Sequence, residues 1–478
     1  MLKIFLKLKL LIPLILLLAS SSSTAEIQVT NKNNYTKKIS NQKYINLENI
    51  HNIILERNLE LNSLKKLIQA SSFNLSSKLS KRYPSLNLNI NGLPQYLYSK
   101  NYSNKSNNTK TSQYKINPSL DLRWDLIDPQ RGLEIKTARN NFEISKNNFE
   151  IKKQDLIQEA KSRYHLYQKS VQDENNAQIA VNLSETSVKD AKSKLEVGVG
   201  TKFEVLEANS QLTRDKQLLK EKTIEKEINL LKLKEILNIK FEDEIIISKK
   251  QKLTGFWSHP IEKNINNGLK YSYSLKNIEL QNSNKDIQAK TFTNSNKPII
   301  FISNSLSSSF TKGSSLTTEI DPALSSSSYS NNVSLNFTWK IFNGGQNKNG
   351  YKSKVAESES EKFKYLNLSN IIQTNINEAF LKLLKNKDKV ISTRQEIVSS
   401  EEALKLTRLR YEVGISTLKD VLIRQKELTL AKSKNINAIF NYNINLDKLE
   451  RLTFLSRNQD CNIEINKNED FNQSICDY

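Results

Sequence analysis

The stretch Leu195-Glu-Val-Gly-Val-Gly-Thr-Lys-Phe-Glu-Val-Leu-Glu-Ala-Asn-Ser-Gln-Leu212 recurs as Tyr411-Glu-Val-Gly-Ile-Ser-Thr-Leu-Lys-Asp-Val-Leu-Ile-Arg-Gln-Lys-Glu-Leu428. The copies start 216 residues apart and share Glu, Val, Gly, Thr, Val, Leu and the final Leu. The Gly suits the end of one helix, and Ser416 or Thr417 suits the start of the next. The stretch therefore predicts the tip of a helical hairpin that occurs twice.

Two further landmarks repeat in the same order. Trp124-Asp-Leu-Ile-Asp-Pro129 matches Trp339-Lys-Ile-Phe-Asn-Gly344, 215 residues later, and Tyr83-Pro84 matches Lys297-Pro298, 214 residues later. An internal repeat constrains the architecture before any local prediction. The sequence predicts two copies of one unit that runs helix, strand, polar loop, strand, long helix, tight turn, long helix.

The strands are predicted from strict two-residue alternation. In the second unit Val333, Leu335, Phe337, Trp339 and Ile341 alternate with polar residues, and residues 114–126 of the first unit follow the same pattern. The predicted strands cover about 85–98, 113–127, 298–310 and 332–342. The Ser- and Asn-rich stretches inside each pair, 99–112 and 311–332, are predicted to be exposed loops.

The helices are predicted to be very long. Residues 130–197 contain no proline, and apolar residues recur every seven positions in the second unit, at Ile376, Leu383, Val390, Ile397, Leu404 and Tyr411. Such a stripe indicates coiled-coil packing along the whole helix. The two hairpins are predicted at about 130–238 and 346–453, and each needs neighbours because it cannot bury its second face alone.

Five segments follow from these patterns. Residues 1–25 are predicted to be a cleaved signal peptide, because basic lysines precede a short apolar run and Ser23-Thr24-Ala25; a single membrane anchor is the alternative. Residues 26–45 are expected to be a flexible segment. The first repeat spans 46–255, the second spans 256–455, and 456–478 form a polar tail that contains Cys461 and Cys476. This pair is a candidate disulfide in an oxidising compartment, with two free thiols as the alternative.

Composition argues against several functions. The net charge is +22, but the lysines are spread along the chain without interleaved aromatics. This pattern predicts solvated helix faces and no nucleic-acid partner. His51, His165 and His259 are scattered and are interpreted as incidental surface residues. Because the sequence has no nucleophile motif, phosphate-binding loop or Cys/His cluster, it predicts no enzyme, no metal site and no cofactor.

The strand pattern favours an outer-membrane barrel. One side of the strand at 113–127 carries Asp121, Arg123 and Asp125, whereas the other side ends in Trp124, which is typical of strands with polar residues inside and apolar residues outside. Transmembrane strands must close into a barrel. Four strands cannot close, and eight leave an interior filled by side chains. Three chains would supply twelve strands and a conducting pore.

The duplicated strand pairs and the two Glu-Val-Gly-x-x-Thr tips together resemble the TolC family of outer-membrane efflux proteins over the whole mature chain. The resemblance implies a mixed α and β membrane protein: a homotrimer with a twelve-stranded barrel, four strands per chain, continued by a long α-helical coiled-coil barrel in the periplasm. It implies export, as in tripartite efflux or type I secretion, with a periplasmic adaptor protein and an inner-membrane pump or ABC exporter as partners. A periplasmic coiled-coil adaptor or a structural envelope protein is the alternative.

The resemblance also suggests site residues. Family members narrow the periplasmic mouth with acidic side chains, and the matching position here is Asp420, with Glu204 as its counterpart and Ile423 at the next acidic position. The alternative is that Asp420 is a first-turn carboxylate favoured by the helix dipole. Adaptor docking is predicted at the tips, with hairpin packing as the alternative role, for Gly198, Thr201, Lys202, Val205, Leu206, Gly414, Thr417, Lys419, Val421 and Leu422. Outer-membrane lipid is expected to contact Leu120, Leu122, Trp124, Leu335, Phe337 and Trp339.

Overall fold

The structure is a computed structural model that describes residues 42–102, 109–248, 251–317 and 323–458. The chain divides into two compact units, residues 1–43 and 44–478, and the second holds the helices and the long strands. The predicted signal peptide and the candidate disulfide between Cys461 and Cys476 lie outside the described residues. Among the described helices, none combines the length and apolar character needed to cross a bilayer.

The order of elements runs twice through two shorter helices, two long strands and a hairpin of two long helices. The first half contains β1 (Gln42–Ile45), α1 (Leu47–Arg57), α2 (Leu59–Ser80), β2 (Ser85–Asn101), β3 (Thr109–Ile127), α3 (Arg131–Glu196) and α4 (Lys202–Ile236). The second half contains β4 (Glu244–Ile247), α5 (Ile261–Tyr271), α6 (Tyr273–Asn294), β5 (Ile299–Thr317), β6 (Ala323–Thr338), α7 (Gln346–Glu412) and α8 (Leu418–Thr453).

The two halves share equivalent polar contacts, both between their two shorter helices and where the sheet meets the helices. A capping residue breaks the helical segment before each strand pair: the side chain of Asn58 accepts from Leu61 N, and that of Ser272 accepts from Leu275 N. At the junction of sheet and helices, Trp124 Nε1 donates to the carbonyl of Arg82 at 3.0 Å. Trp339 Nε1 donates in the same way to the carbonyl of Asn296 at 2.7 Å.

The strands reach further into the polar stretches than their composition predicts. β5 continues to Thr317 and β6 begins at Ala323, so most of the expected loop 311–332 is strand, and β2 and β3 leave only residues 102–108 between them. The backbone ladder between β5 and β6 continues there, and serine hydroxyls also pair across the two strands, as between Ser307 and Ser330 at 2.7 Å. At its other end β6 stops at Thr338, so the predicted end at 342 is wrong and Trp339 lies just beyond the strand.

The four long strands form one antiparallel sheet in the order β2–β3–β5–β6, with β2 and β6 at its edges. The register aligns the alternation of all four strands, because directly paired residues share a face. Leu88 pairs with Leu120, Leu120 with Leu306, and Ile302 with Leu335 on the face called here the apolar face. The opposite face, the polar face, is built from Asn, Ser and charged residues, with Asp121 paired to Asn87 and Ser305.

The long helices pack in the order α4–α3–α8–α7, so that α3 and α8 are central and α4 and α7 are outermost. The seven-residue stripe predicted on α7 forms the seam with α8: Ile376, Leu383, Val390, Leu404 and Tyr411 are buried, and Ile397 is partly buried. Paired amides set the register of α3 against α6. Asn147 Nδ2 donates to Asn277 Oδ1 at 2.9 Å, and seven residues away Asn140 Nδ2 donates to Asn284 Oδ1 at 2.9 Å.

Two predictions at the ends of the folded region are corrected by its packing. Residues 26–45 were expected to be flexible, but residues 42–45 form β1, and Ile45 is fully buried in a cluster with Ile50 and Ile247. The polar tail was expected to start at 456, but Asn458 forms an antiparallel bridge with Phe256. In both places a short segment without periodicity of its own is held in the fold. The contacts that hold it, apolar or backbone, come from residues distant in sequence.

Candidate functional site at the hairpin tips

Both hairpins reverse through the same backbone geometry. α3 and α7 end in turns where Gly198 and Gly414 adopt φ values of 80° and 82°, a region that L-residues with a side chain rarely occupy. At the first tip Val199 N donates to the carbonyl of Lys194 at 3.0 Å, and at the second Ile415 N donates to that of Arg410 at 2.8 Å. These bonds satisfy the last carbonyls of each helix and fix the reversal.

The return helices start with matching capping boxes. Thr201 Oγ1 accepts from Glu204 N, and Glu204 Oε2 accepts from Thr201 N at 3.1 Å. In the second hairpin Thr417 Oγ1 accepts from Asp420 N, and Asp420 Oδ2 accepts from Thr417 N at 3.0 Å. A reciprocal pair of this kind satisfies two otherwise free amides at the helix start. Thr201, Glu204, Thr417 and Asp420 therefore shape the tips.

One apolar cluster, the tip core, joins the two hairpins. Its buried members come from all four long helices: Val188, Ala191, Ala208, Leu404, Tyr411, Leu418, Val421, Leu422 and Leu428. Polar contacts between α3 and α8 flank it, including Gln425 Nε2 to Ser187 Oγ at 2.8 Å. The two tips thus form one packed unit.

Val421 and Leu422 do not match the exposed docking role predicted for them. Val421 is only 1% exposed and Leu422 is 9% exposed, both inside the tip core, and Val205 packs against it while partly buried. The alternative role, packing of the hairpins, is the one the geometry supports for these side chains. Leu206 differs, because it is 57% exposed.

Sequence reasoning missed an exposed apolar rim at the tips. Besides Leu206 this tip rim contains Val197, Val199, Phe203, Val413 and Ile415, each with most of its surface open to solvent. Lys202 and Lys419 are exposed beside it. The exposure of four of them could have been predicted, because apolar side chains next to a helix-ending glycine have no helix face on which to pack. These four are Val197, Val199, Val413 and Ile415. An exposed apolar patch with charged neighbours is suited to a protein contact.

A cation and an aromatic ring connect the tips. Lys194 Nζ of α3 lies 3.8 Å from the ring centroid of Tyr411 and also donates to the carbonyl of Tyr411. Burial raises the pKa of Tyr411 to about 12, and the negative charges of Glu204 and Asp190 act in the same direction. The first turn of α4 therefore faces the second hairpin.

The predicted constriction residues have different surroundings. Asp420 is exposed, and hydrogen bonds from the backbone and side chain of Thr417 and from Ser416 Oγ lower its pKa below the ordinary 3.8. Its carboxylate therefore stays charged at neutral pH. Glu204 is half-buried and lies close enough to Tyr411 to influence the pKa of that ring. The two carboxylates share a capping role, but only Asp420 is fully open to solvent.

A second charged group, called here the C-terminal anchor, lies away from the tips. It consists of Lys161 and His165 of α3, Asp447 and Glu450 of α8, and Arg457 beyond α8. Arg457 Nη2 donates to Glu450 Oε2 at 2.6 Å and also to Asp447 Oδ1. His165 Nε2 lies 3.3 Å from Asp447 Oδ2.

The interpretation of His165 as a surface residue is wrong, because His165 is 0% exposed within this anchor. Burial alone would raise the pKa of Asp447, but the contact with His165 and the charges of Arg457 and Lys161 outweigh it and lower that pKa. Glu450 follows the same pattern, its pKa being lowered by Arg457 and Lys161 against the effect of burial. Within the described residues, no three His, Cys, Asp or Glu side chains are grouped as metal ligands.

Long paired helices and a sheet with one apolar face agree with the channel-forming envelope protein expected from the sequence. The model of the outer membrane efflux protein family matches residues 51–238 and 303–453, more than half of the chain, and the chain belongs to that family. The predictions of an outer-membrane efflux channel, of helices extending into the periplasm, and of no enzymatic activity are thereby confirmed.

Solved structures show the same fold at low sequence identity. A membrane protein from Pseudomonas aeruginosa is 18% identical with a TM-score of 0.70, over 85% of this chain and 93% of that chain. The Neisseria gonorrhoeae MtrE channel, in its open state, is 16% identical with a TM-score of 0.68, over 87% and 90%. The Campylobacter jejuni CmeC channel is 14% identical with a TM-score of 0.68, over 86% of each chain. Among curated protein sequences, none matches this chain.

Proposed function

We propose that three copies of this chain form one export channel, with a twelve-stranded barrel in the outer membrane. The observation that carries the proposal is the four-stranded sheet, whose edges β2 and β6 have no partner among the described residues and whose apolar face includes aliphatic or aromatic side chains from all four strands. An open sheet edge is too costly in lipid, so the strands of other copies must complete the barrel. The apolar face then contacts lipid, and the polar face lines the pore.

The outermost helices support the same assembly. On α7, Leu384, Ile391 and Val398 are exposed at seven-residue spacing, each one position after a residue of the α8 seam and thus about 100° around the helix. On α4, Ile224, Ile228 and Leu231 are also exposed. Each copy therefore carries an apolar stripe on both sides of its helical layer. Packing of α4 from one copy against α7 from the next would bury both stripes in a closed ring.

A matched pair of substitutions on α7 tests the assembly. Ile391→Glu places a charge in the stripe, whereas Ser392→Glu places the same charge one residue away, on an exposed position outside it. Native mass spectrometry in detergent should give three chains for the wild type and for Ser392→Glu, and dissociated chains for Ile391→Glu. A wild-type protein of one or two chains, or equal trimer stability in both variants, would contradict the proposal.

The tip rim is proposed as the docking surface for a periplasmic adaptor protein that links the channel to an inner-membrane pump or ABC exporter. It combines Val197, Val199, Phe203, Leu206, Val413 and Ile415 with the exposed Lys202 and Lys419. Its apolar residues are exposed although the tip core beneath them is fully packed, so hairpin packing leaves them available to a partner.

A lumen constriction is proposed at the start of α8. Asp420, Ile423 and Glu427 are exposed and recur at intervals of three and four residues, which places them on one face of the helix. That face lies opposite the buried Val421, Leu422 and Gln425. In a threefold assembly it would bring three Asp420 carboxylates together, where a divalent or polyamine cation can bind.

A further inference from the structure

Three lysines stand out on the apolar face of the sheet, near the end farthest from the helices. Lys100 of β2 pairs directly with Lys110 of β3. Lys312 of β5 pairs with Tyr114 of β3, on the same face. All three are exposed. Their position needs an explanation, because the other residues of this face are apolar, aromatic or uncharged polar, such as Leu120, Tyr114 and Asn304.

Tyrosines separate Lys100 and Lys110 from the apolar part of the face, and Lys312 lies level with them. Tyr96 and Tyr114 pair across β2 and β3 with ring centroids 5.1 Å apart, and Tyr98 follows two residues after Tyr96. At the helical end, Trp124 lies on the same face of β3, ten residues from Tyr114. Ten residues span about 34 Å along a strand, or about 26 Å of height at the usual barrel tilt, which matches the apolar band of an outer-membrane barrel between its aromatic girdles.

The lysines therefore lie at the depth of lipid headgroups. Lys110 is four residues beyond Tyr114, about 10 Å further from the apolar band by the same strand rise and tilt. Lys100 lies beside it, whereas Lys312 is level with the tyrosines. Like charges directly opposite each other in a sheet are destabilising. Among the described residues, none of the three lysines forms an ion pair with a carboxylate.

We propose that Lys100, Lys110 and Lys312 form a binding site for the phosphate groups of the phosphorylated glycolipid in the outer leaflet. The leaflet follows from topology: the helices extend into the periplasm from one end of the sheet, so the lysines at the other end face the exterior. Phosphates neutralise the facing lysines, and the tyrosines below contact the acyl chains. The inference rests on the proposed assignment of the apolar face to lipid.

Retention of lipid A by the full-length protein tests the site. Wild type, the triple variant Lys100→Ser/Lys110→Ser/Lys312→Ser and the control Lys115→Ser are incubated in detergent with mixed micelles of phosphatidylethanolamine and bisphosphorylated or dephosphorylated lipid A. Lys115 is the matched control, because it lies on the polar face at the same end of β3. Lipid bound per protein and the number of chains are read by native mass spectrometry.

Wild type and Lys115→Ser should retain the bisphosphorylated lipid, and affinity should fall about fivefold for each lysine removed in the triple variant. Equal retention by wild type and the triple variant, or equal binding of the dephosphorylated lipid by the wild type, would overturn the site. Loss of lipid in Lys115→Ser alone would instead show that the two faces are reversed and overturn the lipid-facing assignment. Failure of trimer assembly is visible separately in the chain count.

Discussion

Arg457 holds Glu450 in a two-point ion pair, with Nε 2.8 Å from Oε1 and Nη2 2.6 Å from Oε2. The contact ties the segment after α8 to the last turns of that helix. Arg457 also donates to Thr254 Oγ1 at 2.6 Å, and Thr254 belongs to the connection between the two halves of the chain. Arg457 therefore joins the segment after α8, the last turns of α8 and the connection between the two halves at one largely buried point.

Removal of Arg457 should destabilise the protein strongly. Arg457→Met leaves Asp447 and Glu450 without their main cation in a buried site, which costs about 3–5 kcal/mol. Arg451→Met is the control, because Arg451 pairs with the exposed Asp155 at 2.8 Å and exposed pairs contribute only about 0–1 kcal/mol. Chemical unfolding of the detergent-solubilised protein measures both. An equal decrease in the free energy of unfolding in the two variants would show that the ion pairs of Arg457 stabilise the protein no more than a surface ion pair does.

The anchor should also give an acid-dependent stability. The pKa values of Asp447 and Glu450 are lowered in the folded protein. Such groups stabilise the fold above their unfolded pKa values, and this stabilisation is lost as the pH falls towards the folded values. We expect unfolding to become easier below about pH 4, with a smaller pH effect in Arg457→Met. Thermal unfolding at a series of pH values measures this, and identical slopes in the two proteins would contradict it.

Substitutions at the tips should separate packing from docking. Val421→Asp buries a carboxylate in the tip core and should destabilise the protein by about 3 kcal/mol or more. Ile415→Asp changes a residue that is 69% exposed, so it should leave stability unchanged but abolish export. Lys202→Glu and Lys419→Glu should likewise abolish export. Unfolding and substrate efflux from cells are compared for each variant. Normal efflux in Ile415→Asp and both lysine variants would place adaptor docking elsewhere along the helices.

The two capping carboxylates offer a matched test of the constriction. Asp420→Asn removes an exposed charge, and Glu204→Gln removes a half-buried one with the same capping geometry. Divalent-cation block of single-channel current should weaken in Asp420→Asn only. Because hydrogen bonds from Thr417 and Ser416 lower the pKa of Asp420, its carboxylate should be charged at neutral pH and the wild type should show block there. Unchanged block in Asp420→Asn would leave Asp420 as a helix cap alone.

The two faces of the sheet should differ in their tolerance of charge. Leu335 lies on the apolar face and Asn336 on the polar face, where Asn336 Nδ2 donates to Ser303 Oγ at 2.8 Å. Leu335→Arg should destabilise the assembled barrel, by less than the about 2–4 kcal/mol of an arginine at the bilayer midplane, because Leu335 is aligned with Trp124 through Ile302. Asn336→Arg should cost much less, since it enters a polar lumen. Heat-resistant migration of the assembled protein compares the two variants, and matching defects would argue against the assigned faces.

Much of the fold was predictable from local patterns. The alternation at Val333, Leu335 and Phe337 identified a strand, and the repeated Glu-Val-Gly identified both reversals. Composition gave the wrong prediction for most of residues 311–332. A serine-rich segment can form a loop or a strand, and it becomes a strand where a neighbouring strand pairs with it. The break of β6 at Thr338 was likewise missed, since Ile341 continues the alternation although the strand has ended.

The capped reversals and the amphipathic strands follow from local sequence alone, because capping and alternation depend on residues within a few positions of each other. By contrast, the burial of Val421, the exposure of Ile415 and the contact of His165 with Asp447 follow from how the helices pack in the folded chain. These outcomes depend on the packing of α8 against α3, two helices separated by about half of the chain. Contacts between surfaces so distant in sequence leave no periodic signal in either segment.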